Sequence, residues 1–336
     1  MPRCLVIMFH HVHDRARVVL PRKLDLTGGV KGLTPAAFEQ QLDDVARGLE
    51  PVDWSTLRRA LDGETPLPDD SFLLTFDDGL ADHARVVCPI LERRGLHGVF
   101  FVSTSTLDGT TLLAAHAVHL LLAALGDERF AAECEATARK LGLGTPFSVQ
   151  PVSASLNYAY ESSARAVLKH RLHFEMPATA RDAILDDLFR RHLGDPAEWA
   201  RTWYMTSDDV RRLEAAGHTI GGHGHKHEPL ARLTPTEQEA DLSRCWKELT
   251  GILGRRERPL SYPFGSLSSE TPAIARRAGF TQAFTTESRW VDLAANTSGV
   301  DVSDEETTFR LPRVDTIHVA RELDVTRRYL EVERCP

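Results

Sequence analysis

Apolar runs and amphipathic stretches alternate along the N-terminal part of the chain. Residues 4–9, 71–76 and 98–102 are short apolar runs, which predict strands that are buried on both faces. Residues 35–49 carry apolar side chains at three- and four-residue intervals, and residues 80–94 predict a second helix. This order of strands and helices predicts a parallel sheet or barrel, with its chemistry at the carboxyl ends of the strands.

The alternation is interrupted between residues 104 and 205. This interval contains several helical patterns and is far longer than an ordinary connection. We therefore predict an α/β barrel domain from residues 1–103 and 206–330, and a helical insertion or cap from residues 104–205. Because the insertion follows the carboxyl end of a strand, we expect it beside or over the site.

Composition narrows the functional classes. The chain has 336 residues, of which 42% are hydrophobic and 26% are charged, as in an ordinary globular protein. The net charge of -8 provides no basic face for nucleic acid and disfavours anionic membranes. We expect neither a nucleic-acid nor a membrane partner.

Cysteine usage and the N-terminus predict a cytoplasmic protein. The 5 cysteines are scattered, with no Cys-x-x-Cys pair, which is typical of reduced thiols. The apolar run at residues 4–9 is too short for a signal peptide or a membrane span, and no small-residue cleavage site follows it.

Two carboxylates, Asp77 and Asp78, follow directly after the second apolar run and precede Gly79. Where a strand ends, the backbone turns, so that neighbouring side chains can reach one cavity from different directions. Such a pair suits a metal ligand next to a general base. The alternative is a simple turn, with Asp78 capping the helix that follows.

Three histidines alternate with small or polar residues at His223, His225 and His227. Imidazole nitrogen is a common ligand of divalent first-row metals. Together with Asp78, His223 and His227 would form a site of two histidines and one carboxylate with open positions for water and substrate. The alternative is a solvated, histidine-rich loop.

Both motifs resemble those of the NodB-type polysaccharide deacetylases (carbohydrate esterase family 4). Residues 75–79 match Thr-Phe-Asp-Asp-Gly, and residues 223–227 match His-(Ser/Thr)-x-x-His with glycine in second place. The resemblance implies an incomplete or distorted (β/α)7 barrel, here with a helical insertion. It implies that Asp77 is the catalytic base, and that Asp78, His223 and His227 bind a divalent metal. Zinc is our first choice, with cobalt, nickel and iron as alternatives.

The third motif departs from the family pattern. Residues 261–265 read Ser-Tyr-Pro-Phe-Gly where many relatives have Arg-Pro-Pro-Tyr-Gly. We expect Arg313 to replace the missing arginine in orienting Asp77, although a purely structural ion pair of Arg313 is the alternative. We predict the N–H of Tyr262 as a donor to the oxyanion, and His225 and Phe264 as substrate-binding residues.

The general acid has no clear match, because the family's C-terminal Leu-x-His is missing. Ile317-His318 is the nearest sequence. His10, which follows the first strand where relatives have Tyr-His, is our candidate, and His225 is another. For His10, a solvated loop is the alternative.

These residues together predict a metal-dependent N-deacetylase that releases acetate from an N-acetylated amino sugar. A cytoplasmic location favours a small molecule as substrate. We expect an N-acetylated sugar, a sugar nucleotide or a glycosylated metabolite intermediate. Two alternatives remain: a metal-dependent hydrolase of a non-sugar amide or acetyl ester, and an inactive protein that binds metal or sugar.

Overall fold

A computed structural model describes residues 2–13, 20–143, 162–293 and 305–323. Parts of the predicted barrel and of the predicted insertion lie outside these described residues. The described strands form one sheet: β1 Arg3–Phe9, β2 Glu50–Pro51, β3 Asp70–Phe76, β4 Gly98–Val102, β5 Thr219–Gly222, β6 Leu260–Ser261, β7 Ala283–Phe284, β8 Val291–Asp292 and β9 Val314–Asp315. The described α-helices are α1 Pro35–Ala46, α2 Trp54–Leu61, α3 Cys88–Arg94, α4 Ala114–Leu125, α5 Asp127–Lys140, α6 Ser163–His170, α7 Ala178–His192, α8 Pro196–Trp203, α9 Ser207–Ala215, α10 Pro235–Leu253, α11 Thr271–Ala278 and α12 Glu305–Thr308.

The sheet is mixed but mainly parallel. Its strands follow the order β7-β6-β5-β4-β3-β1-β8, while β2 pairs with β3 and β9 pairs with β1. Only β8 is antiparallel to its neighbour, β1. The sheet curls into a half-barrel accompanied by helices, and the predicted fold class, an incomplete β/α barrel, is confirmed.

The two longest strands, β1 and β3, are in register from Arg3 opposite Asp70 to Phe9 opposite Phe76. The Phe9 ring stacks on the Phe76 ring at 5.2 Å, and Phe76 stacks on Phe100 at 4.8 Å. Stacked aromatic pairs contribute about 0.5–1.5 kcal/mol each beyond their burial. The row of Phe9, Phe76 and Phe100 lies near the ends of the strands, where the polar side chains begin.

Helix starts follow the sequence signals closely, with two differences. The Thr34 hydroxyl accepts the N–H of Ala37 at the start of α1, as expected of an N-cap. The N-cap of α9 is Thr206, immediately before the Ser-Asp-Asp sequence at residues 207–209, which predicts an N-cap region. The stretch predicted as one helix from residue 80 begins with a π-helical turn, His83–Val87, before α3.

The chain folds into two compact units. The unit that carries the sheet contains residues 2–13, which include β1, residues 33–104 and the described residues from 205 onwards. The second unit is helical and contains residues 20–32 as well as the described residues from 105 to 204. Residues 20–32 belong there because Gly29 lies against α4, where a Cβ on Gly29 would be 2.0 Å from the carbonyl oxygen of His119. The predicted boundaries had placed these residues in the barrel.

The helical unit has its own core. The Tyr204 hydroxyl lies 2.6 Å from His116 Nδ1 and accepts the N–H of Leu113. The Trp199 indole donates to the carbonyl of Leu193. Among the described helices of the whole chain, none combines the length and apolar character that crossing a bilayer requires.

Candidate active site

The turn after β3 directs two buried carboxylates into one place. The N–H of Asp77 makes the last ladder bond, to the carbonyl of Phe9 at 3.0 Å. Asp78 then adopts φ 78°, and Gly79 follows with φ 67°. This reversal breaks the alternation of a strand, so neighbouring side chains need no longer point to opposite faces. Asp77 and Asp78 are only 2% and 6% exposed.

The first histidine of the loop after β5 is oriented by two neighbouring strands. The N–H of His223 donates to the carbonyl of Val102, and the hydroxyl of Ser103 donates to the carbonyl of His223. His223 Nδ1 lies 2.8 Å from the carbonyl of Ser261. Because a carbonyl only accepts, Nδ1 carries the proton and Nε2 is left with its lone pair.

Asp78, His223 and His227 form a cluster that we call the Asp78 group. Asp78 Oδ1 lies 3.3 Å from His223 Nε2 and 3.2 Å from His227 Nε2. Tetrahedral coordination with bonds of about 2.1 Å separates ligand atoms by about 3.4 Å. One carboxylate and two imidazoles with this spacing fit a divalent first-row ion, and these three residues would hold it.

Backbone strain is concentrated at this group. Among the described residues, three non-glycine residues have positive φ: Asp78 at 78°, His227 at 58° and Phe264 at 58°. The left-handed conformation is unfavourable for residues with a Cβ and persists where surrounding structure enforces it. The Phe264 ring lies 4.8 Å from the His227 ring, so all three residues converge on one place.

Arg313 binds Asp77 in a charge-assisted bidentate pair. The two guanidinium nitrogens of Arg313 donate to the two carboxylate oxygens of Asp77 at 2.7 and 2.8 Å. Ser261 bridges them, since its hydroxyl lies 3.2 Å from Asp77 Oδ2 and accepts from Arg313 at 2.8 Å. Arg313 is fully buried. The arginine that binds Asp77 thus lies immediately before β9 rather than in the third motif.

This arrangement sets the ionisation of the site. Burial alone would raise the pKa of Asp77, but Arg313 and His223 outweigh it and lower the pKa from 3.8 to about 2. Burial opposes the charged form of His223, yet Asp77 and Asp78 raise its pKa overall. Burial lowers the pKa of His227, which favours the neutral, metal-binding form.

Tyr262 does not have the predicted role. Its N–H donates to the carbonyl of Phe284 at 3.1 Å, because pairing between β6 and β7 continues one residue beyond the strand. Its hydroxyl donates to the carbonyl of Phe309, and the residue is fully buried. The prediction of Tyr262 as an oxyanion donor is therefore wrong. Phe264 is the residue of this motif that contacts the Asp78 group.

His225 is turned away from the predicted substrate-binding role. Gly224, at φ 68°, ends the alternation that would have aligned His225 with His223. His225 Nδ1 lies 3.0 Å from the Thr104 hydroxyl and 3.5 Å from Glu248, and the residue is not part of the Asp78 group. The structure thus contradicts the prediction that His225 binds substrate.

Asp241, on α10, is a supporting residue that the sequence analysis missed. Its carboxylate accepts the N–H of His225 at 2.7 Å and that of Lys226 at 3.0 Å. It thereby fixes the loop between the two histidine ligands. A signal was present, because Asp241 lies on the buried face of α10 with Gln238, Leu242 and Cys245.

Besides His225, two histidines were considered as proton donors, His10 and His318, and they lie in different surroundings. His10 is half-buried, and its charge helps to lower the pKa of Asp77. Its carbonyl accepts from His83 Nε2 at 2.9 Å, which anchors the end of β1. His318 lies in a short 3-10 turn that is bonded to Gln41 of α1 through Thr316.

Comparison with known proteins agrees with the motifs. The family model described as polysaccharide deacetylase matches residues 191–283. A segment of YxkH from Bacillus subtilis (strain 168), a presumed polysaccharide deacetylase, is 26% identical over 84 residues. That match covers 25% of this chain and 30% of the relative. The resemblance to polysaccharide deacetylases is confirmed.

Solved structures share the fold over nearly the whole chain. The Streptococcus pyogenes deacetylase PplD in complex with acetate is 16% identical, with a TM-score of 0.54 and coverage of 94% of this chain and 93% of that chain. IcaB from Ammonifex degensii is 17% identical, with a TM-score of 0.55 and coverage of 96% and 97%. At these identities the likeness shows the fold alone, the NodB-type deacetylase barrel.

Proposed function

We propose that this protein is a metal-dependent N-deacetylase that removes acetate from an N-acetylated amino sugar. One observation carries the proposal: a second carboxylate, Asp77, is held beside the Asp78 group without belonging to it. Asp77 Oδ2 lies 4.0 Å from His223 Nε2, while Arg313 binds both of its oxygens. A site that only bound a metal would have no use for this additional, oriented base.

The Asp78 group would hold the divalent ion, with zinc as our first choice. When bound, such an ion polarises an acetyl carbonyl and lowers the pKa of its bound water to about 7. Arg313 keeps Asp77 ionised and fixes the direction of its oxygens. Asp77 is then positioned to accept the proton of the attacking water as a general base.

The departing amine must receive a proton before it leaves. We assign this role to His10, because it directly follows Phe9, whose carbonyl accepts the N–H of Asp77. The hydroxyl of Ser261 contacts Asp77, and the backbone carbonyl of Ser261 accepts from His223 Nδ1. Ser261 therefore keeps the base and one ligand in a fixed relation. The products are acetate and a free amino group.

The substrate that we propose is a small N-acetylated sugar, sugar nucleotide or glycosylated intermediate in the cytoplasm. The four cysteines within the described residues, Cys4, Cys88, Cys134 and Cys245, are all buried and free, which suits a reducing compartment.

Acetate release from a panel of substrates tests the proposal. The panel contains small N-acetylated sugars, sugar nucleotides and chitin oligomers, each with and without added Zn²⁺. We expect release from a small compound, loss of activity after chelation and its return with metal. Activity on polymers alone would contradict the substrate class. Acetate from O-acetyl esters or non-sugar amides alone would replace the proposal with the alternative hydrolase.

A further inference from the structure

A second cluster of two histidines and one aspartate lies near the end of β1. It consists of His11, His13 and Asp82, and we call it the Asp82 group. One ligand atom from each of these side chains lies within 4.8 Å of the other two. The group shares no residue with the Asp78 group, and the proposed function makes no use of it.

The backbone presents both histidines to the same side. Val12 forms a parallel bridge with Leu33, since Leu33 donates to the carbonyl of His11 and His13 donates to the carbonyl of Leu33. In extended backbone, residues two apart point the same way. The two imidazole rings accordingly lie 5.2 Å apart, at 88° to each other. This pairing fixes the histidines before any ligand binds.

Asp82 approaches both rings from the segment after the catalytic turn. Its Oδ2 lies 3.0 Å from His11 Nδ1 and 3.7 Å from His13 Nδ1. The side chains of His11, His13 and Asp82 are 9%, 5% and 12% exposed. These spacings bracket the value of about 3.4 Å between ligands of a tetrahedral zinc ion.

Two buried polar atoms of the group have no hydrogen-bond partner among the described residues: His13 Nε2 and Asp82 Oδ1. His83 Nε2 is 3.8 Å from Asp82 Oδ1 but donates to the carbonyl of His10 instead. A buried carboxylate needs a compensating charge. A divalent cation between the two imidazoles and Asp82 would supply one.

We propose that the Asp82 group is a second divalent-metal site, separate from the catalytic one. Two imidazoles and one carboxylate select a borderline first-row ion, with zinc foremost. A bound ion would join the end of β1 to the segment that follows Asp78, and so stabilise the turn that carries both catalytic carboxylates.

Metal counting tests this proposal. The whole chain is stripped with a chelator and loaded with excess Zn²⁺, and unbound ion is removed before elemental analysis. We expect two ions per wild-type chain, one in His13→Gln, one in Asp78→Asn and none in the double variant. His97→Gln, which removes an exposed histidine outside both groups, serves as the matched control and keeps two.

Co²⁺ absorption and melting give an independent reading. Loading the second equivalent of Co²⁺ should add a visible absorption band that His13→Gln lacks. It should also raise the melting temperature of the wild type above that of His13→Gln. Asp82→Asn keeps the volume and an acceptor for His11, so it replaces His13→Gln if that variant does not fold.

A single ion per wild-type chain, unchanged in these variants, would overturn the proposal. Acetate release is not used in this test, so its outcome is separate from that of the proposed function.

Discussion

The Asp78 group and the Asp82 group contain the same ligand types but are held in different ways. The Asp78 group depends on left-handed backbone at Asp78 and His227, and a second carboxylate lies beside it. In the Asp82 group the two histidines lie in extended backbone and Asp82 in ordinary right-handed helical backbone, and the only carboxylate in the cluster is Asp82 itself. Ligand chemistry therefore predicts metal binding at both, whereas the additional oriented base distinguishes a site for catalysis.

Removing that base should have the largest effect. Asp77→Asn keeps the size of the side chain but cannot accept a proton as a carboxylate does. We expect acetate release to fall about 100- to 10,000-fold, the usual contribution of a general base, while the Asp78 group still binds its ion. Activity and metal content are measured on the same sample.

Asp208→Asn is the matched control, because the Asp208 side chain is 86% exposed and pairs only with neighbouring Arg211. A fully active Asp77→Asn would remove the distinction between the two groups.

Arg313→Gln should have the next largest effect. It leaves Asp77 buried without its guanidinium, and breaking a buried pair costs about 3–5 kcal/mol of unfolding free energy. The folded pKa of Asp77 lies below its unfolded value, so the ionised carboxyl stabilises the wild type above pH 3.8 and loses this contribution towards pH 2.

In Arg313→Gln, burial without the guanidinium raises the pKa of Asp77. The difference in unfolding free energy from the wild type should therefore be largest above about pH 4 and shrink below it. Denaturant unfolding of metal-free protein across this range measures the effect. A difference that does not vary with pH would show that Arg313 acts only through packing.

Asp241→Ala should have a smaller effect, confined to the Asp78 group. Loss of the bonds to His225 and Lys226 loosens the loop between the two histidine ligands. Outer-shell partners of this kind contribute about 10- to 100-fold to metal affinity. Competition with a chromogenic chelator measures it, with half-exposed Glu239→Gln on the same helix as control.

Asp241→Asn keeps one acceptor oxygen and should lie between the wild type and Asp241→Ala. Equal loss of metal from the Asp82 group would contradict the view that the two groups are supported separately.

His225→Gln should have the smallest effect. The imidazole contacts Thr104 and Glu248 rather than the Asp78 group, and glutamine retains a polar contact there. We expect unchanged KM for the substrate found in the panel. A raised KM with unchanged kcat would restore the original prediction that His225 binds substrate.

Much of the fold and part of the site were predictable from the sequence. Strands β1, β3 and β4 followed from uninterrupted apolar runs, because buried strands leave that signature. Helix α2 was not predicted, although Asp53 caps it and Trp54, Leu57 and Leu61 are buried at helical spacing. Helix α8 was also missed.

The Asp78 group was predictable because its members occur in two short motifs. The Asp82 group was harder to predict, because His11 and His13 are two positions apart in sequence but Asp82 lies 71 positions after His11. The Tyr262 prediction was wrong because a proline-glycine signal marks a turn but not where strand pairing stops. Asp241 was missed because helical periodicity was used only for apolar side chains.

The left-handed residues at the Asp78 group have a consequence for how the proposed ion would be acquired. Since Asp78, His227 and Phe264 are held in place by the fold, the cradle has its shape before an ion arrives. Ions can then exchange without refolding of the loop. For two imidazoles and one carboxylate, which accept several first-row metals, the occupant is decided by the supply of metal around the protein.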